Sequence, residues 1–358
     1  MQVSEKKHIL VLTPGFPKDE SDVNCIPPLQ IFIENFYASF NDYKISIISL
    51  HYPSVKSKYV WNNIDVYSCG GNDISFPGRI NIWKVAMNYA NQINRQFPLI
   101  GVHSFWLGEC AFLAHRISYK FKISHINTLM GQELNGTNRY LSFINFKKLK
   151  VVALTDKQAD AFSNRAGKAV DKIIPWGIRD DEKVINHDRE IDLIGAGSLI
   201  AGKNFELFIE ILHVIKKRFP DINAVIAGDG IEKEKLSKLI SIYKLENNLQ
   251  LTGDLKRNEV LKLMSKSKIF LHTSKYESFG YALAEGLASG CYVVCSNTGF
   301  AHNTKKMFIA NENNDYINII LDLLNNKLDF MPEVEYSVAD TSNMYKNLYE
   351  AYFRIKLS

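Results

Sequence analysis

The stretch that decides the fold reads SKYESFGYALAEGLASGCYVVCSNTG and spans Ser274–Gly299. It follows an apolar run typical of a strand, and it continues into a helix of small residues and a second apolar strand. Two glutamates, Glu277 and Glu285, stand eight residues apart on either side of the pair Phe279-Gly280. A helix that begins at this glycine, directly after a strand, offers backbone N–H groups that attract an anion.

The first turn of this helix is a predicted anion site, formed by the backbone N–H groups of Phe279, Gly280 and Tyr281. A carboxylate beside an anion is unfavourable unless it binds another group. Sugar or ribose hydroxyls offer adjacent donors to Glu277 and Glu285, and a nucleoside diphosphate sugar combines such hydroxyls with a diphosphate. The alternative is that Glu277 caps the helix and Glu285 is an ordinary helical residue.

Apolar runs alternate with helical patterns along the chain, which predicts parallel sheets covered by helices on both faces. The predicted strands are His8–Thr13, Lys44–Leu50, Leu99–Ser104, His125–Met130, Val151–Thr155, Ile191–Ala196, Asn223–Ala227, Leu249–Thr252, Ile269–Thr273 and Tyr292–Cys295. A chain of 358 residues is too long for one ordinary core. We therefore expect two doubly wound α/β domains, with ligands at the carboxyl ends of their strands and in the cleft between them.

The domain boundary is predicted near residue 175, where proline and glycine interrupt the pattern in IIPWGI, Ile173–Ile178. This gives an N-terminal domain over residues 1–174, a C-terminal domain over 175–341 and a hinge between them. The last segment, Ser342–Lys356, has a helical pattern rich in tyrosine and phenylalanine. The pattern allows this helix to pack either back on the first domain or on the second.

The bulk composition excludes several classes of protein. A net charge of +5 favours anionic ligands or a membrane surface, but falls short of a nucleic-acid-binding protein. The five cysteines are odd in number and lack disulfide spacing, which is typical of a reducing compartment. The N-terminus is expected to be a first strand rather than a signal peptide, and no apolar run approaches the roughly 20 residues that span a bilayer. The predicted location is the cytoplasm.

Two further loops carry glycines at the same predicted sheet edge. In GAGSLIAGKNFELFIE, Gly195-x-Gly197 ends a strand and Lys203 precedes the next helix. In VIAGDGIEKEKL, Gly228-Asp229-Gly230 turns the chain from a strand into a helix. Glycines let the backbone approach an anion closely, and a lysine adds charge there. An ordinary turn is the alternative for each loop alone.

These segments together resemble a known family. The stretch EsFGyalaEglasG resembles the E-x7-E motif of the retaining GT-B glycosyltransferases of group 1 (family 4-like). IIPWGI is similar to the interdomain signature of that family, and the two glycine loops follow in its order and spacing. The resemblance is strong over Ile173–Gly299 and looser over the first domain. It implies a GT-B fold with two Rossmann-like domains facing a cleft.

The resemblance implies a transfer of sugar from a nucleotide donor on the second domain to an acceptor hydroxyl on the first. Lys203 would bind the diphosphate, Glu277 the transferred sugar and Glu285 the ribose. The implied catalytic residues are Glu277, Lys203 and His103. The implied donor-binding positions are Gly197, Ser198, Lys203, Gly228, Gly253, Glu277, Ser278, Phe279, Gly280, Tyr281 and Glu285.

The resemblance also implies that neither a metal nor a cofactor is needed, since the nucleotide sugar is a substrate. A helix end and a cation neutralise the leaving diphosphate in this family. The chain contains no Asp-x-Asp, the motif that metal-dependent glycosyltransferases normally use.

Two positions depart from the pattern of the family. Ser198 stands where an arginine is usual, so one diphosphate cation is missing or comes from elsewhere; by location the candidates are Arg179, Arg257 and Lys275. Met130 stands where a histidine near the donor sugar is common.

Several residues of the first domain are matched to the acceptor side. These are Gly15, after the first strand, His103, at a later strand end, and Gly131, Gln132 and Glu133 in GQELNGTNRYL. The alternative for Gly15 is a turn glycine, and the alternative for His103 is a buried structural histidine. Gln132 and Glu133 are expected to make the polar contacts with the sugar or acceptor that a histidine at position 130 would otherwise make.

The stretch YLSFINFKKLK, Tyr140–Lys150, mixes aromatic residues with lysines. It is suited to anionic lipid headgroups at the inner face of a membrane, and a solvated helix face is the alternative. The expected partners are therefore a UDP- or GDP-sugar and a glycan or lipid-linked saccharide, without nucleic acid, in the synthesis of a surface polysaccharide or glycolipid. The alternatives are a non-catalytic nucleotide-sugar-binding subunit and a GT-B-type epimerase or phosphorylase-like enzyme.

Overall fold

The computed structural model describes residues 6–72, 75, 78–131, 133–134, 136, 138–183, 186 and 188–353. The chain divides into two compact units, one made of residues 1–176 with 338–358 and the other of residues 177–337. Each unit is built around its own sheet.

The first unit has an eight-stranded sheet and helices on its faces. The strands are β1 (Lys7–Gly15), β2 (Tyr43–Tyr52), β3 (Ser57–Trp61), β4 (Ile64–Ser68), β5 (Leu99–Phe105), β6 (Ser124–Thr128), β7 (Leu149–Ala153) and β8 (Lys172–Ile173). The helices that precede residue 177 are α1 (Pro27–Ser39), α2 (Arg79–Gln96), α3 (Glu109–Phe121) and α4 (Asp156–Ala166), with a 3-10 turn at Arg139–Phe143.

The sheet of the first unit has the order β3-β4-β2-β1-β5-β6-β7-β8. Every neighbouring pair is parallel except β3 and β4. The central strand β1 is buried on both faces along Ile9–Leu12, because helices cover both sides of a parallel sheet. This explains why its sequence is a continuous apolar run rather than an alternating one.

The hairpin formed by β3 and β4 was not predicted from the sequence. Its two-residue turn consists of Asn62 and Asn63, which both have positive φ angles, 43° and 64°. Asparagine tolerates this backbone region, and such a turn matches the twist of paired strands. The short strand and partly exposed faces of β3 left no apolar pattern to recognise.

The second unit repeats the α/β alternation. Its strands are β9 (Ile191–Ala196), β10 (Ala224–Ala227), β11 (Leu249–Leu251), β12 (Ser267–His272), β13 (Tyr292–Cys295) and β14 (Met307–Ile309). Its helices are α5 (Phe205–Lys216), α6 (Lys233–Ile242), α7 (Arg257–Ser265), α8 (Tyr281–Ala288) and α9 (Asn313–Asn325). Neither β14 nor α9 was among the predicted elements.

The six strands of this second sheet are parallel and follow the order β11-β10-β9-β12-β13-β14. The order reverses between β9 and β12, which pair directly. The loops after these two strands therefore leave the sheet side by side at the topological switch point. In open α/β sheets this is where ligands bind.

The last helix, α10 (Val338–Tyr352), belongs to the first unit. It begins four residues before the predicted start, and it packs against α1, where the Ser342 hydroxyl bonds Asn35 at 2.8 Å. Tyr345 packs near Phe32 with ring centroids 4.6 Å apart. The aromatic residues of the C-terminal segment thus complete the core of the first unit rather than that of the second.

Among the described residues, we find no helix with the length and apolar character required to cross a bilayer.

Candidate functional site

Three glycine-bearing loops meet at the carboxyl edge of the second sheet. Gly197 N–H donates to the carbonyl of Ala227, and Gly228 N–H donates to the carbonyl of Gly253, each at 3.0 Å. A Cβ atom at Gly228 would lie 1.9 Å from the carbonyl oxygen of Gly197. The loops can approach this closely only without side chains, so the glycines have a structural role in shaping this edge.

The loop that carries Lys203 is tied to the loop after β12. The backbone N–H of Lys275 donates to the carbonyl of Gly202 at 2.9 Å, and the Thr273 hydroxyl donates to the carbonyl of Lys203 at 3.1 Å. These bonds hold together two segments that are about 70 residues apart in the sequence. As a result, Lys203 Nζ lies 2.6 Å from Glu277 Oε1.

Glu277 is held in its ionised form by two neighbours. His272 Nε2 lies 3.1 Å from the same Oε1 atom that contacts Lys203. Burial alone would raise the pKa of Glu277, but the hydrogen bond with His272 and the charge of Lys203 outweigh it and lower the pKa to about 2. The carboxylate therefore stays charged and oriented at neutral pH.

Glu285 belongs to a second cluster of charges. Arg257 donates from Nε to Glu285 at 2.7 Å and from Nη1 to Glu182 at 2.6 Å. Burial raises the pKa of Glu285, and Arg257 opposes this rise. The remaining nitrogen of the guanidinium, Nη2, is buried without an acceptor in the part of the chain that the structure describes.

The start of α8 is shaped by Gly280, whose φ angle of 85° lies in the left-handed region. The ring of Phe279 is buried and stacks on Phe300 at 4.8 Å between centroids. The hydroxyl of Tyr281 donates to the carbonyl of Gly177 at 3.1 Å. Ser278 is half-buried beside them. The glycine thus turns the chain sharply enough for the helix to begin at the very next residue.

The cations considered as substitutes for the missing arginine differ in their surroundings. Ser198 is exposed in the loop after β9. Arg179 is engaged with Asp181 at 2.8 Å, and Lys275 is exposed. Arg257 forms an ion pair with Glu285, the second glutamate of the E-x7-E motif, at 2.7 Å. By this contact, Arg257 is the candidate that the fold brings to the motif.

His103, for which the resemblance implied a catalytic and acceptor-side role, lies in the core of the first unit. It is fully buried in the first unit, with Nδ1 2.7 Å from the Tyr349 hydroxyl and Nε2 2.8 Å from Thr128 Oγ1. Burial lowers its pKa to about 3, so the ring is neutral. Both ring nitrogens have partners within the core, and these surroundings favour a core role over the catalytic and acceptor-side role that the resemblance implied.

The other first-unit candidates lie in loops after β1 and β6. Gly15 ends β1 and is buried near Tyr52. Glu133 accepts hydrogen bonds from the backbone N–H groups of Met130 and Gly131, each at 2.6 Å. Its carboxylate therefore holds its own loop together, which argues against its expected role in place of the missing histidine. Gln132 lies outside the described residues.

Sequence reasoning missed two residues of the site. His272 ends β12 immediately before the motif, so its place at the carboxyl end of a strand was a usable signal. Glu182 lies in a 3-10 turn within the polar stretch after residue 178, where nothing distinguishes one acidic residue from its neighbours. Its contact with Arg257 depends on the folded chain alone.

Comparison with known proteins agrees with this geometry. Residues 178–329 match the family model described as "Glycosyl transferases group 1". A phosphatidylinositol N-acetylglucosaminyltransferase gpi3 subunit from Schizosaccharomyces pombe is 26% identical over 161 residues, which are 43% of this chain and 35% of that protein. A Campylobacter jejuni N-acetylgalactosamine-N,N'-diacetylbacillosaminyl-diphospho-undecaprenol 4-alpha-N-acetylgalactosaminyltransferase is 35% identical over 105 residues, or 29% of this chain and 27% of that protein.

The chain thus spans 35% and 27% of the length of these two curated relatives. Among solved structures, Anabaena HepE in complex with UDP and glucose superposes with a TM-score of 0.73, covering 96% of this chain and 99% of that one. The sequence identity is 15%, so this likeness shows the fold alone. Residues 178–329 of this chain are thus similar to the group 1 glycosyltransferases, and its two α/β sheets have the GT-B fold.

Proposed function

We propose that the chain is a retaining glycosyltransferase that moves a sugar from a nucleoside diphosphate sugar, UDP- or GDP-linked, to a hydroxyl of a glycan or a lipid-linked saccharide. The observation that carries this proposal is the contact between Lys203 and Glu277 at the switch point of the second sheet. It joins a cation suited to a diphosphate and a carboxylate suited to sugar hydroxyls beside the start of α8.

The residues have distinct roles in the proposed transfer. The bond between the anomeric carbon and the diphosphate oxygen breaks, and the acceptor oxygen bonds to the same face of the sugar. The proton of the acceptor hydroxyl passes to the leaving diphosphate. Lys203 and the N–H groups at the start of α8 stabilise the negative charge that develops on the leaving diphosphate, which is why we propose that no metal is required. Glu277, held by His272, orients the sugar hydroxyls.

Arg257 is the proposed substitute for the arginine absent at Ser198. Its Nη2 nitrogen is buried beside Glu285, the proposed ribose ligand, and has no acceptor within the described chain. A guanidinium in this position is pre-oriented by Glu182 and Glu285 and retains one donor for a phosphate oxygen. The two glutamates thereby position the cation as well as neutralise it.

The acceptor is proposed to bind the first unit, residues 1–176 with 338–358, and the donor the second. The names of two relatives refer to lipids, phosphatidylinositol in one and diphospho-undecaprenol in the other. This supports an acceptor of the lipid-linked class for the present chain and a role in the synthesis of a surface polysaccharide or glycolipid. It is in keeping with a cytoplasmic enzyme that contacts the inner face of a membrane.

The test is a two-stage screen of the full chain. Thermal shifts with UDP, GDP and ADP should identify one base that raises Tm, because a ligand that binds only the folded state stabilises it. The matching nucleotide sugars should then be hydrolysed slowly, with the anomer retained in any transfer product, in the presence of EDTA. A chain that binds none of the nucleotides would contradict the proposal.

A non-catalytic sugar-nucleotide-binding subunit is the second candidate, and the exposed Ser198 is the observation that favours it. The two functions predict different results in the same screen. The subunit would be favoured if the chain bound nucleotide tightly but neither hydrolysed the nucleotide sugar nor transferred its sugar to any of a wide range of acceptors.

A further inference from the structure

The first unit contains a cavity of about 910 Å³ that the donor site does not use. It lies among the segments that follow β4, β5 and β6, namely the start of α2, the start of α3 and the 3-10 turn at Arg139–Phe143. These segments all follow the carboxyl ends of strands, where α/β sheets bind ligands. Its volume is in the range of small-molecule sites, which is about 300–1,000 Å³.

The cavity combines positive charge with aromatic walls. Arg79, Arg116 and Arg139 line it together with Trp83, Phe112 and Phe143. Arg116 and Arg139 are exposed, and neither forms an ion pair with any other residue that the structure describes. Arg116 lies over the ring of Phe112, with its guanidinium carbon 5.7 Å from the centroid. Guanidinium groups are well suited to the planar, two-point recognition of a phosphate.

The negative groups near the cavity are already occupied. Arg79 is bound to Glu109 at 2.6 Å, and Glu109 also accepts hydrogen bonds from His51 and Trp83. Glu133, the carboxylate that lines the cavity, accepts its bonds from backbone N–H groups. Arg116 and Arg139 therefore face the cavity without a carboxylate to neutralise them in the described chain.

The cavity adjoins a smaller groove of about 430 Å³. Cavity and groove share Phe112, Arg116 and Phe143, and the groove adds Tyr119 and Lys120. Phe143 is 66% exposed and Tyr119 is 77% exposed. Two exposed aromatic side chains beside basic residues form a surface on which an extended apolar chain can lie while its anionic group is held at one end.

We propose that this cavity binds a phosphate-bearing lipid, with the phosphate at Arg116 and Arg139 and the apolar chain along Phe112, Phe143 and Tyr119. The identity of that lipid as the sugar acceptor rests on the proposed function. The binding itself does not, because it depends only on charge and shape in the first unit. The substrate class of the acceptor is then an anionic amphiphile rather than a neutral glycan.

The test is calorimetric titration of the full chain with dihexanoylphosphatidic acid below its micelle concentration. We expect saturable binding, and binding weaker by about tenfold or more in the double variant Arg116→Gln/Arg139→Gln, because neither glutamine can make a charge-assisted hydrogen bond to the phosphate. The matched control is Arg95→Gln/Arg218→Gln, which removes the same charge at two exposed positions and should bind as the wild type does. Phe143→Ser should weaken binding of this lipid but not of inorganic phosphate.

The proposal is overturned if dihexanoylglycerol, which has the same acyl chains but no phosphate, binds as tightly as the phosphatidic acid, since the arginines would then contribute nothing. Equal losses of affinity in the two double variants would show non-specific charge attraction, and the absence of saturable binding would also reject the site. The thermal shift caused by a nucleotide should be the same in all of these variants. If no nucleotide raised the Tm of the wild type, the proposed function would be rejected, but the lipid result would still stand.

Discussion

Individual charged residues in the second unit are paired before any ligand arrives. Lys203 is bound to Glu277, and Arg257 to Glu285 and Glu182. A charge that is removed from water costs several kcal/mol unless it is compensated, so these pairs keep the site folded and charged at once. A ligand that binds here exchanges one set of partners for another, and the partners differ between the two glutamates.

Lys203→Ala is expected to weaken the binding of the nucleoside diphosphate by about tenfold or more, because the loop after β9 then lacks its cation. Isothermal titration with the nucleotide that gives the largest thermal shift measures the effect. Lys238→Ala, which removes an exposed lysine from the middle of α6, is the control and should bind normally. An unchanged affinity in Lys203→Ala would mean that the diphosphate binds elsewhere.

Replacing the two glutamates should have different consequences. Glu277→Gln should lower kcat and leave the binding of free UDP or GDP nearly normal, because those nucleotides lack the transferred sugar. Glu285→Gln should weaken binding of the free nucleotide and raise KM. It should also lower the free energy of unfolding by about 1–3 kcal/mol, since Arg257 loses one of its two partners.

Steady-state kinetics, nucleotide titration and urea unfolding of both variants separate these effects. If both substitutions reduced the affinity for free nucleotide equally, the assignment of sugar to Glu277 and ribose to Glu285 would be wrong.

The lowered pKa of Glu277 makes its contribution to stability depend on pH. The folded value of about 2 lies below the ordinary 4.5, so the contribution is fully present above pH 4.5 and is lost as the pH falls towards 2. Between pH 5 and pH 3 the stability advantage of the wild type over Glu277→Gln should therefore shrink by about 2 kcal/mol. Urea titrations of both proteins at the two pH values provide the measurement, and a constant difference would contradict the expectation.

Loops and strands set the shape in which these residues meet. Gly197, Gly228 and Gly253 follow three neighbouring strands, and their contacts are between backbone atoms. All three glycines have positive φ angles, and at Gly228 the neighbouring loop also leaves no room for a Cβ atom. This is why a pattern interpreted one loop at a time left the ordinary-turn alternative open.

Gly228→Ala should destabilise the second unit by about 2–4 kcal/mol and weaken nucleotide binding, because the new Cβ meets the Gly197 carbonyl at a positive φ angle. Gly202→Ala is a matched control in the neighbouring loop, where no heavy atom lies within 4 Å of the added Cβ. Thermal melting and nucleotide titration of both variants test this. Equal behaviour of the two would show that the loops can separate at no cost.

At the scale of the whole molecule, the two sheets belong to two compact units, and the last helix in the described part of the chain, α10, belongs to the first. In the proposed function, the nucleotide sugar donor binds the second unit alone. Hydrogen exchange with and without the bound nucleotide should accordingly slow the amides of residues 197–203 and 273–285, while the amides of β1 to β8 stay unchanged. Protection confined to the first unit would reverse the assignment, and inorganic phosphate at the same concentration is the control.

The sequence by itself determined the α/β class and the sheet edge at which the three glycine-bearing loops lie. Strand and helix periodicities are local, so Ile191–Ala196 and Tyr292–Cys295 were predicted with the bounds that the structure has. The positions of Lys203, Glu277 and Gly280 were also predictable, because they follow strands or lie at the start of a helix, and Glu285 lies within the helix that Gly280 precedes. The missed hairpin turn at Asn62-Asn63 was a local signal too, and the sequence contained it.

Only the tertiary structure decided which of the chemically suitable residues reach the site. His103 has the right type and a strand-end position, yet its neighbours Thr128 and Tyr349 come from distant segments and enclose it in the core. Arg257 and Glu182 lie 75 residues apart, and their contact depends on how the strands are ordered in the sheet. Such pairings are set by burial and by charge compensation between remote segments, which no local pattern encodes.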